Sequence, residues 1–169
     1  MDRLGVPDDD ALHALTVKLA VALQRRRWVL ATAESCTGGW IAKACTDIPG
    51  SSAWFNGAAV TYSNAAKRAL LGVGAATLER HGAVSRECAL EMVAGALARF
   101  AADVAVSVTG IAGPGGGSPE KPVGTVWVAW QPRAGDPEAS VFHFAGDRDA
   151  VRRQTIAAAL QGLRKILTA

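Results

Sequence analysis

The chain has 169 residues, with 18 basic and 15 acidic side chains, a formal charge of +3 and a hydrophobic fraction of 50%. This length is typical of one domain, spanning residues 1–169, and so much apolar content with so little net charge excludes a disordered chain. Alanine supplies 34 residues and the aromatic residues only 10, so the core must be built from small side chains that let neighbouring elements approach closely.

The basic residues do not indicate a nucleic-acid surface. The sequence pI is near 9.0, but the arginines form only two short clusters, at 25–27 and 148–153, and neither is interleaved with aromatic residues. We interpret both clusters as solvent-exposed helix ends.

Cysteine content and the N-terminus predict a cytoplasmic protein. Cys36, Cys45 and Cys88 are an odd number without a CxxC pair, which fits a reducing compartment and argues against a disulfide framework or a zinc site. The polar N-terminus is not a signal peptide, and no apolar run approaches the roughly 18 residues of a membrane span.

Helices and strands alternate over most of the predicted order. Apolar periodicity and capping residues predict, in sequence, a helix from Asp8 to the arginines at 25–27, a strand over 28–33, a helix ending near 45, a strand over 58–62, a short helix containing Lys67, a helix over 75–81, a helix over 85–100, a strand over 103–109, a hairpin of strands over 123–131 and 139–144, and a helix over 147–167. This order favours an α/β fold, a three-layer α/β/α sandwich with a mixed, mostly parallel sheet of about five strands, one of them antiparallel.

Two helices carry an apolar stripe that we expect to face the core. In the first helix the stripe consists of Leu12, Leu15, Leu19, Ala22 and Leu23. In the helix over 85–100 it consists of Leu90, Val93, Ala94 and Leu97.

Three loops follow predicted strands, at 34–39, 62–67 and 109–117. In an open α/β sheet the ligand crevice lies outside the carboxyl ends of the strands. We therefore expect these loops to meet at one edge of the sheet and to form the site.

The first loop, AESCTGG, places Ser35 at a strand-to-helix turn, as in a nucleophile elbow, although the GxSxG pattern is absent. Free backbone N–H groups from Thr37 through Gly38 to Gly39 would stabilise an oxyanion there. The alternative is that Ser35 or Thr37 only caps the helix. Cys36 is a rival nucleophile, or else a small buried side chain.

The second loop, TYSNAAK, offers a base for such a serine. His13, His81 and His143 do not fall in a strand-end loop, whereas Lys67 does. Desolvation or a neighbouring cation would lower the pKa of a lysine enough for it to act as a base, and Tyr62 would relay a proton or align the hydroxyl. The alternatives are a solvated lysine and a half-buried tyrosine.

The third loop, TGIAGPGGG, is suited to binding phosphate or sugar through backbone N–H groups. The candidate residues are Thr109, Gly110, Gly113 and Gly115. The loop is neither a P-loop nor a GxGxxG motif, and a flexible surface loop is the alternative interpretation.

Six strings in this order, AESCTGGW, VTYSNAAK, HGAVSRE, VTGIAGPGGG, KPVGTVW and GDRDAVRRQ, together resemble the CinA C-terminal domain family over about residues 10–167. Its enzymatic members are nicotinamide mononucleotide deamidases. The resemblance implies hydrolysis of nicotinamide mononucleotide to nicotinic acid mononucleotide and ammonia, in pyridine-nucleotide salvage, without a cofactor or metal. It also implies a serine nucleophile at Ser35, a lysine base at Lys67 and an assisting tyrosine at Tyr62.

The resemblance further implies a small nucleotide substrate whose phosphate needs the glycine-rich loop, a helix N-terminus or Arg148 of GDRD. It implies the stand-alone form of the domain. The arginine clusters and the lack of a long apolar run predict no nucleic-acid or membrane partner, and we expect a homo-oligomer of which a dimer is the favoured form. A non-catalytic module that binds a pyridine nucleotide is the competing function.

Overall fold

The computed structural model describes residues 5–169, which contain five strands and six α-helices. The helices are α1 Asp9–Arg26, α2 Trp40–Thr46, α3 Asn64–Leu71, α4 Ala75–His81, α5 Arg86–Arg99 and α6 Arg148–Thr168, and a 3₁₀ turn covers Ser51–Ala53. The strands are β1 Leu30–Glu34, β2 Phe55–Val60, β3 Val104–Gly110, β4 Thr125–Pro132 and β5 Glu138–His143.

The five strands form one mixed sheet in the order β2-β1-β3-β4-β5. Strand β1 pairs in parallel with β2 and β3, whereas β4 pairs antiparallel with β3 and with β5. Only β4 therefore opposes the common direction within the described residues. The predicted α/β class and the single antiparallel strand are confirmed.

Two strands are shifted by one to three residues from their predicted bounds. Strand β2 occupies 55–60 instead of 58–62, and β1 occupies 30–34 instead of 28–33. Asn56 and Gly57 resemble turn residues, but β2 is an edge strand, where weak strand formers are tolerated. The shift at β1 makes Glu34 the last strand residue instead of the first loop residue.

Hydrophobic clusters cover both faces of the sheet. On β3, alternate residues point to opposite sides. Val104, Val106 and Val108 join the cluster with α1 and α6, whereas Ala105 joins the cluster with α5. These clusters complete the three layers of the α/β/α sandwich.

The predicted stripe of the first helix is largely correct. Asp8 caps α1 by accepting from Ala11 N, and Leu12, Leu19 and Leu23 are buried. Thr16 and Ala20, which the prediction did not include, are also buried. Leu15 and Ala22, which it did include, are only half-buried.

The predicted inward face of α5 is confirmed at Val93 and wrong at Ala94, whereas Leu90 and Leu97 pack against the same cluster without being fully buried. The buried side chains are Cys88, Ala89, Met92, Val93 and Ala96, whereas Leu90 and Leu97 are half-buried and Ala94 is exposed. The side chains of α5 that face the sheet are mostly small, and they pack against Ala33, Ala105 and Ala129. The Ser107 hydroxyl donates to Ala89 O at 2.6 Å, which fixes this close approach.

No helix within residues 5–169 is both long and apolar enough to cross a membrane.

Candidate active site

The three loops meet where β1, β2 and β3 end, around a cavity of about 270 Å³. Because these strands are parallel, their carboxyl ends lie at one edge of the sheet. The lining combines both turns after β1 and β2, the glycine-rich loop, the segment before α5 and the start of α6: Ser35, Cys36, Tyr62, Asn64, Lys67, Ala83, Val84, Thr109, Gly110, Ile111, Ala112, Gly113, Gly115, Gly116 and Arg148.

Ser35 and Lys67 form a buried pair in this cavity. Lys67 Nζ lies 2.9 Å from Ser35 Oγ and 2.7 Å from Thr61 O. Ser35 N donates to Val108 O, which holds the serine against β3, and Ser63 caps α3, which carries Lys67. Turns after two neighbouring strands thus place a hydroxyl and an amine in hydrogen-bonding contact.

The surroundings of Lys67 favour its neutral form. Its side chain is 1% exposed, and burial lowers the pKa of the amine below the ordinary value of 10.5. No carboxylate among the described residues forms an ion pair with it. A neutral amine can donate to Thr61 O and still accept the Ser35 proton through its lone pair.

Glu34, the residue before Ser35, is a site residue that the sequence analysis missed. It is fully buried, and its two carboxylate oxygens accept five hydrogen bonds from α2 and from two threonines. The available signal was an acidic residue at the end of a mostly apolar strand, shortly before a helix whose N-cap position is a glycine.

Thr37, Gly38 and Gly39 are not among the residues that line the cavity. The Thr37 hydroxyl and Gly39 N donate to Glu34, and Gly38 N donates to Ser35 O. The two glycines adopt φ values of 62° and 95°, which allow the tight turn after Ser35. The N–H groups of Gly38 and Gly39 are therefore occupied, which leaves Thr37 N as the one free donor of the three that we expected in the described chain.

Two other N–H groups of the same turn are free. Within the described part of the chain, Cys36 N and Thr37 N have no hydrogen-bond acceptor. Cys36 N follows Ser35 directly, at the position of one of the two oxyanion donors in a nucleophile elbow, and Thr37 N comes next.

The thiol of Cys36 differs from the Ser35 hydroxyl in its surroundings. Cys36 is buried, and desolvation, with a smaller contribution from Glu34, raises the pKa of the thiol to about 11. All three cysteines are free and buried, and no cluster of metal-binding side chains occurs between residues 5 and 169.

Tyr62 and Arg148 pair at the cavity rim. Arg148 donates to the Tyr62 hydroxyl at 3.0 Å and to Gly113 O at 2.8 Å. Tyr62 is 64% exposed, and its hydroxyl has no hydrogen bond to Ser35 or Lys67. The structure thus brings both predicted residues to the site, with the tyrosine hydroxyl directed to Arg148.

The glycine-rich loop is fastened at its base and free at its tip. Ile111 N donates to Thr125 O, and Lys121 Nζ donates to His81 O at 2.7 Å. Gly110 packs so closely on Val126 that a Cβ would lie 2.6 Å from its Cγ2. At the tip, the N–H groups of Gly113, Gly115 and Gly116 have no acceptor among the described residues, and Thr109 Oγ1 donates to Ala83 O.

Sequence reasoning also missed Arg152 and Asn64. Arg152 donates to Thr37 O at 3.0 Å and stacks on Trp40, with its guanidinium carbon 5.1 Å from the ring centroid. The expectation that the second arginine cluster is only a solvated helix end is therefore wrong. The spacing of Arg148 and Arg152, one helical turn apart, was the signal; Asn64 carried none.

Known proteins are similar in sequence to this chain over nearly its whole length. The nicotinamide-nucleotide amidohydrolase PncC of Enterobacter agglomerans is 56% identical over 150 residues, covering 89% of this chain and 92% of that protein. The protein of the same name from Escherichia coli strain K12 is 55% identical over 155 residues, covering 92% of this chain and 94% of that protein.

The architecture is shared as well. The crystal structure of the competence/damage inducible protein CihA from Agrobacterium tumefaciens matches with a TM-score of 0.91 and 46% identity, covering 96% of this chain and 98% of that one. A family model described as the CinA C-terminal domain matches residues 12–167. With sequence, fold and site loops in agreement, this chain belongs to the CinA C-terminal domain family.

Proposed function

We propose that this protein is an amidohydrolase that converts nicotinamide mononucleotide to nicotinic acid mononucleotide and ammonia, a reaction of pyridine-nucleotide salvage. The observation that carries the proposal is the contact of 2.9 Å between Lys67 Nζ and Ser35 Oγ in a cavity at the strand ends. The name of the relatives, nicotinamide-nucleotide amidohydrolase, supports the substrate class.

The geometry supports a serine mechanism with a lysine base. Neutral Lys67 takes the Ser35 proton as Oγ attacks the carboxamide carbon, and the oxyanion is held by the free N–H groups of Cys36 and Thr37. The Lys67 ammonium then protonates the carboxamide nitrogen of the tetrahedral intermediate, the C–N bond breaks and ammonia leaves. Water, losing a proton to Lys67, attacks the carbonyl carbon of the acyl-enzyme. The ester C–O bond to Ser35 then breaks as the Lys67 ammonium returns the proton to Ser35 Oγ, and nicotinic acid mononucleotide leaves.

The rest of the cavity fits the remainder of the nucleotide. Arg148 and the free N–H groups of Gly113, Gly115 and Gly116 supply donors for the phosphate. Among the described residues that line the cavity, Tyr62 alone is aromatic, so its exposed ring offers a stacking surface for the cationic pyridinium.

Ammonia release from nicotinamide mononucleotide by the purified protein tests the function. Ser35→Ala should lower the rate by about 10³-fold or more, because the nucleophile is lost, while its circular dichroism and substrate binding stay near wild type. Binding of the nucleotide by the wild-type protein without any turnover would instead identify a non-catalytic binding module.

The same assay separates the hydroxyl from the neighbouring thiol. Cys36→Ala should lose less than about fivefold in rate, because the backbone N–H stays and a thiol whose pKa is raised to about 11 is almost entirely protonated at neutral pH. Inactivation of the wild-type enzyme by iodoacetamide, prevented in Cys36→Ala, would instead favour a cysteine nucleophile.

A further inference from the structure

The side chain of Glu34 is a buried carboxylate with no basic partner. No Lys or Arg among the described residues forms an ion pair with it, although it is fully buried. Burying a carboxylate is costly unless hydrogen bonds replace the lost water. Its position, next to the residue proposed to attack the substrate, calls for a physical role.

Five donors replace that water. Oε2 accepts from Thr37 Oγ1 at 2.6 Å, and from Gly39 N and Ile41 N at 3.1 Å each. Oε1 accepts from Ala42 N at 2.8 Å and from Thr32 Oγ1 at 3.3 Å. Helix α2 has no side-chain cap from Gly39, so Glu34 satisfies its first N–H groups instead.

The backbone of Glu34 is fixed independently of its side chain. Glu34 lies on β1 between β2 and β3, where its carbonyl accepts from Thr61 N at 2.8 Å. The next residue, Ser35, donates its N–H to Val108 O. The turn at 35–39 is therefore held to the sheet at one end and to α2, through the carboxylate, at the other.

We infer that Glu34 is a positioning residue, whose carboxylate fixes the 35–39 turn on α2 and so holds Ser35 Oγ against Lys67 Nζ. By occupying the N–H groups of Gly39, Ile41 and Ala42, it also leaves those of Cys36 and Thr37 as the oxyanion donors. Glu34 does not touch the substrate. The inference rests on the proposed function only in taking Ser35 as the nucleophile.

Glu34→Gln is the sharpest variant because it keeps the shape and removes acceptors. Whichever way the new amide is oriented, its NH₂ group faces at least one backbone N–H that can only donate. A misplaced nucleophile lowers kcat by about 10-fold to 100-fold, whereas KM, set by the distant phosphate donors, should change less than about threefold.

Labelling of Ser35 by a fluorophosphonate provides a readout that needs no natural substrate. Ser35 Oγ forms a bond to phosphorus as the P–F bond breaks, fluoride leaves and Lys67 takes the hydroxyl proton. We expect Glu34→Gln to slow labelling at least about 10-fold. Thr32→Val, which removes only the longest of the five hydrogen bonds, should label within about twofold of wild type.

Two further variants keep the test decisive. Leu19→Val weakens the core of α1 away from the site, so labelling that falls equally in Leu19→Val and Glu34→Gln would overturn the inference in favour of a general stability effect. Thr37→Val removes only the shortest of the five hydrogen bonds to Glu34 and should slow labelling several-fold. It serves as the test if Glu34→Gln does not fold. Labelling at the wild-type rate by folded Glu34→Gln, or by Thr37→Val in its place, would also overturn the inference.

The inference and the proposed function fail in different ways. A wild-type protein that releases no ammonia from nicotinamide mononucleotide, yet labels at Ser35 in a Glu34-dependent manner, would refute the substrate and retain the positioning role.

Discussion

At the scale of single residues, burial lowers the pKa of Lys67 and so favours its neutral amine. A lysine in water is protonated at neutral pH and has no lone pair with which to accept the Ser35 proton. The cavity wall removes that water, and the contacts to Ser35 Oγ and Thr61 O replace part of it without adding a negative charge. The lowered pKa of the lysine that we propose as the base is therefore a consequence of packing.

The pH dependence of the rate tests this account. Because the base must be neutral, kcat/KM should rise about tenfold per pH unit on the acid side and level off above the pKa of Lys67, at a midpoint below 10.5. Fluorophosphonate labelling, with a probe that does not titrate, should follow the same curve. A rate that does not change between pH 6 and 10 would contradict a lysine base.

At the scale of elements, α6 fastens the site from one side. Arg148 and Arg152 lie one turn apart on its first two turns and reach the glycine-rich loop, Tyr62 and the carbonyl of Thr37. Arg153 also lies over the Trp40 ring, but its ion pairs are with Asp9 and Asp149. One helix face thus supports all three loops that follow β1, β2 and β3.

Arg148→Met should raise KM for nicotinamide mononucleotide by about 10-fold or more, because charge-assisted hydrogen bonds to the phosphate are lost. The nucleoside that lacks the phosphate should show a much smaller change. Steady-state kinetics on both compounds measures the difference, and Arg153→Met, on the same helix, should leave KM within about twofold. An equal loss on both compounds would refute phosphate binding by Arg148.

Helix α5 packs closely against α3, the helix that carries Lys67. A Cβ at Gly95 would collide with the carbonyl of Leu71, which ends α3 one turn after Lys67. Glycine is needed here for space, in keeping with the small side chains that α5 turns toward the sheet.

Gly95→Ala should destabilise the protein by about 1–3 kcal/mol, because the collision separates the two helices. In an unobstructed helix the same change would stabilise by about 1 kcal/mol, so the sign of the effect is diagnostic. Denaturant unfolding measures it, with Ala94→Ser at the exposed neighbouring position as a control that should change stability by less than about 0.5 kcal/mol. A stabilised Gly95→Ala would refute the contact.

At the scale of the whole molecule, the candidate site buries ionisable side chains at a cost to the stability of the fold. The sheet is covered on both faces by apolar clusters, yet its carboxyl edge buries a lysine and a glutamate among the largest fully buried side chains. Residues that serve activity commonly cost stability in this way.

Lys67→Met should reveal this cost as a pH-dependent difference in melting temperature. The unfolded lysine stays protonated up to about pH 10.5, whereas the folded amine loses its proton at lower pH, so wild-type stability rises with pH between these two values. The variant lacks this gain, so its melting temperature relative to wild type should be highest at neutral pH and fall toward pH 10. A constant difference would contradict a lowered pKa.

Local sequence determined the elements and the loops that carry the chemistry. Asp8, Ser63, Ser85 and Asp147 cap helices through bonds to residues three positions away, and the hydrophobic periods that define strands extend over a few residues. Such short-range patterns predict the α/β class and loops at the strand ends. The quoted strings indicated the family in the same way, because they are contiguous.

Only the tertiary structure decided how these loops work together. Ser35 and Lys67 are 32 residues apart in the chain, and neither their contact nor the burial that lowers the pKa of the lysine exists before β1 and β2 pair. Likewise, the assignment of N–H groups between Glu34 and a substrate depends on where α2 packs. Distances, burial and the choice of partners are set by packing between distant segments, which no local pattern contains.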